Sequence, residues 1–172
     1  MDERVLAALI GAVVVALGWL ISDRRDRLAE RRRRRDKEAD LMRALGAEIA
    51  AHVHQLEMNR LEEHQAEMLA RMTREPDFIV MVPGDTHATI FRALLPEIHL
   101  LPGDVVEPVS LYYSQIITVA HLAEDIRSDR YAQISPERRA ALYGHFIDMK
   151  MEALRMGQLA ASKLERAIGR AQ

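Results

Sequence analysis

VLAALIGAVVVALGWLIS, residues 5–22, runs eighteen positions without a charge, and DRRDRLAERRRRRDKE, residues 23–38, follows at once. That second stretch holds nine arginines or lysines against five acids, in a chain whose formal net charge is -2. As a helix rising about 1.5 Å per residue, residues 5–22 would extend roughly 27 Å, close to the roughly 30 Å hydrocarbon core of a bilayer. A secretory signal peptide would carry its cations before the apolar run and a small-residue cleavage site after it. Here the order is reversed, with only Arg4 beside Asp2 and Glu3 in front of the run. The segment therefore reads as an uncleaved single-pass anchor.

The flank richer in Arg and Lys stays in the cytoplasm, so the expected topology is N-terminus outside and C-terminal domain inside, in a bacterial inner membrane. A bacterial source is suggested because only Lys37, Lys150 and Lys163 are lysines while arginine and alanine are abundant. Trp19 then falls near the cytoplasmic headgroups, where an indole finds apolar and polar surroundings together. Ala8, Ala12 and Ala16, with Gly11 and Gly18, would let a second membrane helix approach closely, although alanine is common throughout the chain.

Arginines just inside a membrane attract anionic lipid headgroups. Arg24, Arg25, Arg27, Arg31, Arg32, Arg33, Arg34 and Arg35 are accordingly the expected contacts with headgroups or another anionic partner. Nucleic acid is disfavoured, because no aromatic residues interleave for base stacking and Asp23, Asp26, Glu30, Asp36 and Glu38 dilute the field. The organisation expected is an anchor over 1–22, a basic juxtamembrane helix over 23–40 and a cytoplasmic helical domain over 41–172.

With no cysteine, disulfides and thiolate sites are excluded. Many Ala, Leu, Met, Glu and Arg residues and few glycines favour an all-α fold. No proline interrupts Asp23 to Met72, and Leu41, Leu45, Ile49, Val53 and Leu56 form a stripe that grows ragged after Leu61. Phe78 to Val82 is too short for a typical helix, and a strand there would lack a partner, so it reads as an apolar loop against the bundle. Asp85 or Thr86 can cap a short helix ending at Pro96, with a further turn over residues 97–100.

Asp104 is a candidate N-cap for a strongly buried helix carrying Val109, Tyr112, Tyr113 and Ile116, each tyrosine hydroxyl needing a hydrogen-bond partner or water. Ser135-Pro136-Glu137 combines a hydroxyl cap, proline at the first helical position and an acid in the first turn. The expected fold is an antiparallel bundle of about three long helices, 24–72, 104–128 and 136–170.

Seven histidines invite a metal reading. Glu48 and His52, His121 and Glu124, and His145 and Asp148 each share a helical face. A di-iron bundle needs Glu-x-x-His motifs in that order, whereas His54-x-x-Glu57, His64-x-x-Glu67 and His121-x-x-Glu124 run the other way. No phosphate-cradling glycine loop, nucleophile elbow or His-Glu-x-x-His sequence occurs. No catalytic, cofactor-binding or metal residue is expected, and surface or interface positions are the default for the histidines.

IFRALLPEIHLLPGDVVEPVSLYYSQI, residues 90–116, resembles uncharacterised small single-span bacterial membrane proteins in its short helix, Leu-Pro turn and valine-rich helix carrying tyrosines. The resemblance implies those helix boundaries and no functional residue. The anchor and charged helix also look like the b subunit of ATP synthase, but prolines at 76, 83, 96, 102 and 108 would interrupt its long stalk. A phage spanin would place its helices on the other side of the membrane. The expected function is a membrane-anchored protein-interaction or scaffold module, self-associating or binding another protein. The alternatives are a His/carboxylate metal protein or enzyme using His52, His121 or His145, and an anionic-lipid or nucleic-acid binder acting through the arginine run.

Overall fold

The computed structural model describes the backbone of residues 3–84 and 88–171, with the side chains of Trp19, Ser22, residues 24–84 and residues 88–170. Among the described residues all regular structure is helical: α1 (Glu3–Met58), α2 (Leu61–Arg74), α3 (Thr89–Leu94) with a 3-10 segment (Leu95–Leu100), α4 (Gly103–Arg127), α5 (Asp129–Gln133) and α6 (Pro136–Ala171). The chain divides into two compact units, Met1–Ala39 and Asp40–Gln172.

The first unit is helical from Glu3 onward. Its described side chains from Arg24 to Lys37 are all exposed, and Trp19 is 73 % exposed. Apart from Trp19 and Ser22, the side chains of the expected anchor, including its small-residue stripe, lie outside the described residues. Among the described residues no helix is long and apolar enough to cross a membrane.

In the second unit the stripe on α1 turns inward as the sequence predicts: Leu41, Leu45, Ile49, Val53 and Leu56 are all buried. The helix ends at Met58 and a second one starts at Leu61, which corrects the expectation of a single long helix over 24–72. Arg60 sits in the left-handed region at φ 43, and the N–H groups of Asn59 and Arg60 close onto the carbonyls of Leu56 and Glu57. The Arg60 carbonyl then accepts from His64 N–H at 3.0 Å and starts α2. This break shifts the phase of the stripe, so that Leu61 and Met72 are buried where an unbroken helix would have continued from Leu56 through position 60.

Cross-helix pairs fix the directions. Asp104 meets Arg170 at 2.7 Å and Gln115 donates to the Met149 carbonyl at 3.0 Å, so α4 and α6 are antiparallel. Gln158 donates to Glu57 at 2.8 Å, while Gln65 donates to the Gly144 carbonyl and Asp148, so α1 and α2 also oppose α6. It follows that α1 and α4 are parallel, correcting the expectation of an antiparallel succession. The reason is the long connection between α2 and α4: Arg139 holds the Pro76 carbonyl at one end, and Phe91 stacks on Tyr113 at the other. That connection runs the chain back along the bundle before α4 begins.

Residues 77–84 contain no helix and bury Val80 and Val82, as an apolar loop against the bundle should. The capping residues proposed at 85 and 86 lie outside the described residues. Asp104 is not the cap of α4. The helix opens at Gly103, the Pro102 carbonyl accepts from Val105 and Val106, and Asp104 sits in the first turn. Ser135 Oγ does accept from Arg138 N–H at 3.4 Å, as its motif predicts.

Candidate functional site

The densest polar chemistry inside the bundle gathers where α1, α3 and α4 meet. One helical turn separates Glu48 from His52, which places both on the face of α1 that meets α4. The Glu48 carboxylate accepts from Ile90 N–H at 2.7 Å, Phe91 N–H at 3.1 Å and the Tyr113 hydroxyl at 2.6 Å. No side chain of α3 itself caps that helix, so a carboxylate from α1 satisfies two of its free N–H groups. Negative charge is favoured at the positive end of a helix.

The neighbouring His52 Nδ1 and Tyr112 hydroxyl form a short hydrogen bond. Tyr112 meets Tyr113 edge-on with ring centroids 5.0 Å apart, and Phe91 stacks on Tyr113 at 3.9 Å. Both tyrosines have no exposed surface, and His52 is 6 % exposed. Burial, reinforced by the Glu48 charge, drives both tyrosine hydroxyls above their ordinary range, so they stay protonated and Tyr113 donates to Glu48. A pocket of about 30 Å³ adjoins His52 among Ile116, Ala120, Phe146 and Ala153, with Lys150 also lining it. That is room for a water-sized group and no larger ligand.

Gly157 lets α6 close over this cluster. A Cβ there would stand 2.6 Å from Val53 Cγ2 and 2.9 Å from Tyr112 Cε2. At the other end of the bundle Tyr143 pairs with His64 Nε2 at 3.0 Å, its hydroxyl pushed up to about 12 by burial and then by Tyr131. Buried Arg139 donates to the carbonyls of Ala132 and Pro76, and its own carbonyl accepts from Tyr131 at 3.0 Å. The Tyr113 hydroxyl meets Glu48 and the Tyr112 hydroxyl meets His52, contacts that tie α4 to α1.

The sequence identified Glu48 and His52 as sharing a face and left His52 at the surface or an interface; the structure buries it between helices. It named no partner for the two tyrosines, which lie some sixty residues away in the chain, and it gave no sign of Arg139. The three candidate histidines are not brought together. His52 is buried on α1, His121 is exposed beside Glu124 at 3.7 Å, and His145 is exposed on α6. Among the described residues no group of three or more His or carboxylate side chains could hold a metal ion.

Arg24, Arg25, Arg27 and Arg31 to Arg35 are all exposed on α1. Five consecutive residues 100° apart surround a helix, so Arg31 to Arg35 present charge in every direction. Arg24, Arg27, Arg31 and Arg35, at spacings of three, four and four, share one face with exposed Leu28. No protein-family model, curated protein or solved structure matches the chain.

Proposed function

We propose that this chain is a membrane-tethered helical module that binds another protein or a second copy of itself. The observation that carries the reading is the abutment of eighteen uncharged residues, 5–22, on the arginine-dense stretch 23–38. Apolar side chains without charge favour the hydrocarbon, and guanidinium groups keep the following domain on the cytoplasmic side. The orientation proposed is N-terminus outside and C-terminal domain inside a bacterial inner membrane. The likeness of residues 90–116 to small single-span bacterial membrane proteins accords with it.

The arginines divide by depth. Beyond Ser22, helical rise places Arg24 about 3 Å and Arg27 about 8 Å along the axis, against headgroup layers of roughly 5–8 Å. Arg24, Arg25 and Arg27 are thus the anionic-headgroup contacts of an upright helix. Arg31 to Arg35 begin about 14 Å along it, and their encircling charge serves as the barrier to translocation.

Full-length protein made in a bacterial host should resist alkaline carbonate extraction, and protease outside intact spheroplasts should leave the portion beyond residue 40 whole. Release by carbonate, or digestion of that portion, would overturn the tether and its orientation respectively. Crosslinking in the same membranes tests the interaction role: recovery of the monomer alone counts against it.

A further inference from the structure

Phe78 to Val82 is a non-helical run with the side-chain pattern of a strand and no sheet to join. Its burial alternates: Val80 and Val82 are 7 % exposed and face the core, while Ile79 is 44 % and Met81 93 % exposed. That two-residue period belongs to extended backbone. Pro76 and Pro83 bound the run, β-branched Ile79, Val80 and Val82 favour it, and a residue before proline avoids helix. Yet among the described residues no backbone hydrogen bond reaches Ile79, Val80, Met81 or Val82; the turn bond from Phe78 N–H to the Glu75 carbonyl comes just before them. No strand elsewhere in the described residues can supply a ladder.

Open space lies beside the unpaired backbone. On one side a groove of about 340 Å³ runs between residues 79–82 and the corner joining α4 to α5, floored by Ile126, Tyr131 and Ala132. The groove on the other side is smaller, about 190 Å³, and is lined by His64, Asn59 and Lys150 among others. An extended backbone offers N–H and C=O groups alternately along its edge, and a second extended backbone is what satisfies them in series.

We propose that an extended segment of a different protein adds as a second strand to Ile79–Val82, lying in the larger groove. Its inward side chains, at alternate positions, are small and apolar and rest on Ile126, Tyr131 and Ala132. A second copy of this chain is the poorer occupant, because its own Val80 and Val82 are already committed to its own core. The groove rim carries Arg127 and Asp129, so a segment flanked by one acidic and one basic residue is complementary to it. Main-chain pairing of this kind gives affinity while the alternate pockets give specificity. The proposal names the partner class of the interaction module and rests on that reading, but not on the membrane tether.

The test uses the full chain in a mild detergent, labelled at Ile, Val and Met amides, and a synthetic peptide of alternating valine and threonine ending in glutamate and lysine. Alone, the amides of residues 79–82 should exchange freely. With saturating peptide, one alternate pair, Ile79 and Met81 or Val80 and Val82, should slow by about tenfold or more, because a strand edge presents every second amide. Met81→Pro should abolish binding where Ile79 and Met81 are the slowed pair, a peptide N-methylated at every residue of its alternating core should abolish it in either case, and Met81→Gln should weaken it only a few-fold. Dimerisation without peptide, equal binding of the N-methylated peptide, or no slowing at residues 79–82 would each overturn the proposal. Carbonate resistance of the same preparation reads the tether separately, so neither result is mistaken for the other.

Discussion

Glu48 on α1 and Tyr113 on α4 meet at 2.6 Å across sixty-five positions of chain, and the same carboxylate holds the start of α3 through Ile90 and Phe91. Three separate segments thus depend on one side chain. Hydrogen bonds to a charged group contribute about 1.5–3 kcal/mol each, and orphaning a buried partner costs about 1–3 kcal/mol. Tyr113→Phe should therefore lower unfolding stability by about 1–3 kcal/mol, and Glu48→Ala by more, since it strands three donors. The double variant should lose less than the sum. Urea unfolding followed by near-ultraviolet circular dichroism gives the cycle, and strict additivity would show that the two residues do not act together.

Much of the scaffold is legible in the sequence. The stripe from Leu41 to Leu56, the Ser135-Pro136-Glu137 start and the non-helical run 78–82 all follow from local propensity and periodicity, which act between near neighbours. The break at Arg60 was hidden, because neither glycine nor proline marks it and only the phase slip between Leu56 and Leu61 betrays it. The parallel course of α1 and α4 depends on where the connection travels, a property of packing that spacing does not encode. The candidate cluster was half visible: Glu48 and His52 sit one turn apart by rule, but their pairing with Tyr113 and Tyr112 is long-range.

Every tyrosine of the chain is held protonated above its ordinary range, with burial the largest cause at all four. The unfolded chain releases these protons near pH 10, while the folded chain retains them. Above pH 10 the native state binds more protons than the unfolded state, so stability falls as pH rises, by up to about 1.4 kcal/mol per pH unit for each tyrosine. Below pH 10 this contribution is fully present. Tyrosinate absorbance should consequently appear in one cooperative step coincident with loss of tertiary circular dichroism. Gradual ionisation of a folded protein near pH 10 would contradict the burial of these hydroxyls.

Gly157 is needed for closeness and not for backbone freedom. In an exposed helix Gly→Ala gains about 1 kcal/mol. At Gly157 the new methyl would meet Val53 Cγ2 at 2.6 Å and the Tyr112 ring at 2.9 Å, both buried groups with little room to yield. Overpacking of this kind costs about 1–3 kcal/mol, so Gly157→Ala should be net destabilising by up to about 2 kcal/mol. Gly46 and Gly169, which have open space around the same position, should instead gain stability on the same change. Thermal unfolding of the three variants tests the contrast.

Arg60 is the converse case, a non-glycine residue in the left-handed region at φ 43. The left-handed conformation costs an L-residue roughly 1–2 kcal/mol, and glycine avoids that cost while losing about 0.5–1 kcal/mol in backbone entropy. The Arg60 side chain contributes little in return: its contact with Glu63, 3.3 Å long, lies between groups 78 % and 73 % exposed, where ion pairs are weak. Arg60→Gly should thus be neutral or stabilising by up to about 1 kcal/mol, whereas β-branched Arg60→Val should destabilise by more than 1 kcal/mol. Because α1 and α2 both grip α6, the Val variant should also speed amide exchange at His64, whose N–H bonds the Arg60 carbonyl. Equal stability of the Gly and Val variants would mean that the break is made by tertiary packing alone, without strain at residue 60.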